Sequence, residues 1–62
     1  MNFEVTYYLS SGKEIGTLIE AVNLDKAREA VKEELLNDSI DVADDLVLYS
    51  KYVTHFLVQE RE

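Results

Sequence analysis

The chain has 62 residues, thirteen acidic and six basic, and a formal charge of −7 at neutral pH. That length makes one domain, residues 1–62, near the lower limit for folding without help. With no Cys and one His, disulfide staples, thiolate metal sites and multi-histidine zinc centres are excluded.

A hydrophobic fraction of 47% supplies enough apolar surface for a folded domain despite the charge. No apolar run approaches the ~20 residues that span a bilayer. Met1-Asn2-Phe3-Glu4 has no basic n-region of a signal peptide. The expectation is therefore a soluble cytoplasmic protein. The excess of acid argues against direct binding to nucleic acid or to anionic membranes, since both need clustered Lys and Arg. It favours a basic partner, or no charged partner at all. For a chain this small, homodimerisation is a further common route to stability.

Phe3-Glu4-Val5-Thr6-Tyr7-Tyr8-Leu9 alternates, with Phe3, Val5, Tyr7 and Leu9 on one face, as in a half-buried strand. Ser10 to Lys13 form a polar loop in which Gly12 can supply a positive φ. Strand character resumes over Glu14–Ala21, so the two runs read as a hairpin. Gly16 within the second run suggests a bulge or a close backbone approach, or else a merely tolerated glycine.

Asn23–Asp38 contains the helix. Leu24, Ala27, Val31 and Leu35 recur at three- and four-residue steps, with Ala30 beside them. Asn23 suits the N-cap, Asp25 suits the positive end of the dipole, and Asn37 suits a left-handed C-terminal residue. Asp25 with Arg28, Lys26 with Glu29 and Glu29 with Lys32 are opposite charges three apart. Glu33 and Glu34 sit in the last turn, where the dipole prefers bases, and are read as uncompensated.

Asp38–Asp45 reads as a connector in which Ser39 would cap a short turn carrying Ile40 and Ala43 inward. Leu46–Val58 is dense in β-branched and aromatic residues and too long for one straight strand. It bends near Ser50-Lys51, or it turns there; Ser-Lys is poor chemistry for a two-residue hairpin. Gln59–Glu62 is a polar end expected to fray. The order predicts an α+β fold: a small two-layer domain, an antiparallel β-sheet with a single α-helix packed on one face, β-β-α-β or β-β-α-β-β. The second sheet face, carrying Tyr8, Leu18 and Tyr52, would meet water or a partner.

No constellation for chemistry emerges, and no cofactor or metal is expected. His55 is the one group that titrates near neutrality, and no motif gives it a partner. Ser10 and Ser11 lack the Gly-flanked elbow of a serine hydrolase. Two glycines cannot build a phosphate loop. Glu4, Glu20 and Glu60 could pair across a sheet as acid and base, but nothing marks them as buried. The chain reads as non-enzymatic.

What rises above background is a run of six carboxylates, Glu33, Glu34, Asp38, Asp41, Asp44 and Asp45, with no base between Lys32 and Lys51. It can be a solvated surface that maintains solubility. Asp38-x-x-Asp41-x-x-Asp44 lacks the alternation, central Gly and terminal Glu of a calcium loop. The run can also face a basic protein, with carboxylates imitating duplex phosphates, which carry one charge per ~1.7 Å of axis. In size, acidity and want of catalytic residues the chain resembles the small acidic DNA-mimic inhibitors of bacteriophages and mobile elements. That resemblance implies that these six residues bind a basic, DNA-binding protein and exclude DNA from it. The competing expectation is a structural or assembly domain that oligomerises, or pairs with a partner strand, through an open sheet face.

Overall fold

The computed structural model describes residues Met1–Arg61. The elements in order are β1 (Asn2–Leu9), β2 (Glu14–Glu20), α1 (Leu24–Glu34), β3 (Ser39–Ala43), β4 (Leu46–Tyr49), a 3-10 turn (Ser50–Tyr52) and β5 (Val53–Arg61). The domain is α+β, one helix packed with antiparallel sheets.

The alternation in β1 does what its period requires. Phe3, Val5 and Tyr7 are buried, while Glu4, Thr6 and Tyr8 between them are half-covered. β1 is the central strand of the order β2-β1-β5. Its register with β2 is regular from Asn2 opposite Glu20 to Tyr8 opposite Glu14. The connecting turn closes with Leu9 N–H to Lys13 O and Gly12 N–H to Leu9 O. Gly12 sits at φ +92°, where an L side chain is strained, so glycine is favoured there. Gly16 needs no such account: the strand is unbroken, and a Cβ there would meet only the Val5 carbonyl oxygen at 4.0 Å.

β5 pairs with the other side of β1, Asn2 opposite Arg61 through Tyr8 opposite His55, and the register then slips so that Leu9 meets Val53. Thr54 is the extra residue, and its hydroxyl is placed to donate to the Tyr8 carbonyl at 3.2 Å. Gln59, Glu60 and Arg61, read as a fraying end, are instead strand, paired in register with Glu4, Phe3 and Asn2 of β1. Glu62 lies outside the described residues.

The helix begins as the sequence predicts, with Asn23 Oδ1 accepting from Lys26 N–H at 2.9 Å. Of the predicted apolar stripe, Ala27 and Val31 are buried and Leu35 is half-buried, but Leu24 is 46% exposed. Lys26 and Glu29 pair at 3.5 Å across an exposed surface. The far end differs from expectation. Among the described residues none other than glycine has a positive φ, so Asn37 is not a left-handed cap. The helix instead tightens, with Leu36 N–H to Glu33 O and Asn37 N–H to Glu34 O, which satisfies terminal carbonyls by three-residue steps.

Asp38–Asp45 is not a helical connector. Ile40 and Val42 turn inward and Ser39, Asp41 and Ala43 outward, a period of two rather than the three-residue step of a helical turn. β3 forms a separate two-stranded sheet with β4, Ile40 opposite Leu48 and Asp41 opposite Val47. Its turn, Asp44-Asp45, has no positive φ, so it is not one of the primed turns whose twist matches two strands directly. The register accordingly shifts between Asp41 and Ala43. The break near Ser50-Lys51 falls where the sequence places it, and the strands on either side belong to different sheets. Val5, Tyr7, Val31, Ile40 and Leu48 meet in one cluster, so the hairpin, the helix and the three-stranded sheet share a core.

Candidate acidic interface

All six carboxylates of the run are exposed. Glu33 and Glu34 close the helix, Asp38 lies in the loop that leaves it, Asp41 is on the outer face of β3, and Asp44 and Asp45 form the hairpin tip. Among the described residues none of the six is in an ion pair: the two pairs are Lys26 with Glu29 and Arg61 with Glu4, at 3.1 Å. Burial, and then the negative charge of Glu34, push the Tyr7 phenol above its ordinary 10.0, so the helix end projects its charge onto the core's edge.

Two features temper the reading from sequence. Lys32 lies in the last helical turn, so the dipole's negative end is compensated after all. Lys51, thirteen residues after Asp38, comes back beside it. Ser50 is responsible: its hydroxyl donates to the Asn37 carbonyl and its N–H to the Asp38 carbonyl. Asp38 and Lys51 then line one open groove of about 510 Å³, together with Leu36 and Tyr49. The Lys51 ammonium is turned over the Tyr52 ring, 5.1 Å from its centroid, a modest cation–π contact at an exposed site. A second hollow of about 410 Å³ is bordered by Asp41, Asp44 and Val47.

Sequence reasoning missed the exposed apolar members of this surface, Leu36, Val47 and Tyr49. Leu46-Val47-Leu48-Tyr49 is apolar throughout, so its pattern does not separate an inner from an outer face. The missing signal is that its sheet has two strands with only one face against the core, which leaves Val47 and Tyr49 outside.

The open face of the three-stranded sheet is mixed rather than apolar. The register sets Leu18 beside Glu4 and Gln59, and Glu14 beside Tyr8 and His55. Tyr52, expected on this face, belongs to the 3-10 turn. Tyr8 and His55 stack with ring centroids 4.5 Å apart and planes 8° from parallel. The Thr54 hydroxyl lies 2.7 Å from His55 Nδ1 and orients the ring. β2 and β5 are the two edge strands of this sheet; β2 is the edge that follows the first turn. Pairing it with a second β2 about Thr17 would set Glu14 opposite Glu20 at both ends, which is repulsive.

Among the described residues, no three His, Asp or Glu side chains converge to hold a metal ion, no polar or charged residue is buried, and no helix is long and apolar enough to cross a membrane. No family model, no curated protein and no solved structure matches the chain.

Proposed function

We propose that this chain is a non-enzymatic binding protein whose acidic edge, Glu33 through Asp45, occupies the basic surface of a nucleic-acid-binding protein and keeps DNA from it. The observation that carries the reading is six exposed carboxylates without an ion-pair partner, running from the helix exit to the hairpin tip. Unpaired surface carboxylates at this density repel one another, and a basic partner relieves that repulsion while steering encounter at long range.

The other reading, assembly through the open sheet face, has Leu18 and Leu57 in its favour, both exposed there. The glutamates opposed across a paired β2 edge count against a homodimer formed that way.

The test is affinity capture from cell lysate at about 50 mM and about 200 mM salt, the range over which charge-driven binding weakens steeply. A variant with all six acids changed to their amides is run beside the wild type. The reading requires basic DNA-binding proteins that are captured at low salt, depleted at high salt, missed by the amide variant, and hindered from shifting DNA on a gel. Capture of non-basic partners, or retention that ignores salt, would sink it.

A further inference from the structure

The acidic edge is interspersed with side chains that a phosphate mimic has no use for. Leu36 is 85% exposed, Tyr49 56% and Val47 52%. Leu36 and Tyr49 share the groove with Asp38. Val47 lies two residues before Tyr49 on β4 and so points to the same outer face, where it borders the neighbouring hollow with Asp41 and Asp44. The hairpin register sets Asp41 directly opposite Val47. The Ser50 N–H bond to the Asp38 carbonyl holds Asp38 at the Tyr49 end of the strand. Acid and apolar side chains thus sit next to one another along the outer face of the hairpin, with Lys51 the one base in the groove. Interfaces that bind tightly concentrate their energy in a few anchors, with aromatic residues prominent.

We infer that Leu36, Val47 and Tyr49 anchor a docking surface for a basic amphipathic segment of another protein. Its Lys and Arg meet Asp38, Asp41 and Asp44, and its apolar side chains cover the anchor. The inference rests on the acidic edge being a binding face and adds what the partner must look like. Charge decides the occupant. A second copy docking the same patch on itself would press one acidic edge against another, and nucleic acid shares the edge's sign.

The isotope-labelled chain is titrated, at about 50 mM salt, with two synthetic peptides of equal length and equal Lys content. One is an amphipathic Lys/Leu helix and the other a Lys/Ser chain. The Lys/Leu peptide should shift the amide signals of Leu36, Val47 and Tyr49 and bind at least about tenfold more tightly, a difference of ~1.4 kcal/mol. Leu36→Ser, at a site too exposed to matter for folding, should bring the two affinities together, and Tyr49→Ser should do so independently. Changing Asp38, Asp41 and Asp44 to Asn should weaken both peptides alike. If the peptides bind equally, or the shifts fall on the acidic residues but not on Leu36, Val47 and Tyr49, the anchor is refuted and the acidic-face reading stands. If neither binds, that reading falls too. A wild-type dimer that Leu36→Ser converts to a monomer in light scattering would assign the patch to a second copy and overturn the proposal.

Discussion

Val31→Ala and Leu24→Ala make a paired test of the helix packing. By residue size alone Leu24 is the larger loss; burial reverses the order, because Val31 is 1% exposed and Leu24 46%. Val31→Ala removes two methyl groups from the shared core at ~0.8 kcal/mol each. It also leaves a space that the surrounding Val5, Tyr7, Ile40 and Leu48 fill only in part, which adds to the cost. Alanine's better helix propensity returns roughly 0.5 kcal/mol, for a net loss of about 2 kcal/mol. Leu24→Ala removes more carbon, but only about half of it is out of water and solvent can enter the gap, so the loss is about 1 kcal/mol. In a domain of this size 1 kcal/mol moves the melting temperature by roughly 4–8 °C. Thermal unfolding followed by far-UV circular dichroism should put the Val31 variant about 8–16 °C below wild type and the Leu24 variant about half as far. A Leu24 variant as destabilised as the Val31 variant would mean that the helix lies rotated from the orientation described.

Three further outcomes are expected. Asn23→Ala should cost about 1 kcal/mol in urea unfolding by removing the bond to Lys26 N–H, whereas Asn23→Asp should cost little. Gly12→Ala should destabilise by about 1 kcal/mol: the methyl meets nothing within 4 Å, so the cost is conformational strain at φ +92° less the entropy alanine removes from the unfolded chain. The Tyr7 phenol is raised above 10.0, so it stabilises the fold fully below that value, and its contribution is lost as pH climbs through the folded pKa. Ultraviolet titration should show one tyrosine ionising late, Glu34→Gln should bring it earlier, and Tyr7→Phe should flatten the alkaline loss of stability.

The first hairpin and the helix were legible in the chain because each shows one period cleanly and each has an identifiable terminator, Gly12 for the turn and Asn23 for the cap. Residues 38–45 were not. Ile40 and Ala43 three apart suggest a helical turn, while Ile40 and Val42 two apart suggest a strand, and a segment so short lets both stand. The partner strand decides, since Leu48 brings its own inward residue opposite Ile40. The acidic members of the candidate interface could be read directly because charge needs no fold to be exposed. Its apolar members could not, because Leu36, Val47 and Tyr49 look like core until the helix ends early and the second sheet stops at two strands. Lys51 beside Asp38 likewise depends on the Ser50 bonds, which link residues thirteen and twelve positions apart.

The pairing of β1 with both β2 and β5 sets the order of events in folding. Closing the four-residue turn to β2 costs little chain entropy, whereas bringing β5 to β1 closes a loop of more than forty residues. By the logarithmic scaling of loop closure that is roughly 2 kcal/mol more expensive. The β1–β2 hairpin therefore forms early, and β5 docks once the helix and the second hairpin have shortened the path back. Substitutions at the Gly12 turn should slow folding, and those along β5 should mainly hasten unfolding. The lifetime of the native state is thus governed by the last strand to arrive, and the speed of reaching it by the first turn to close.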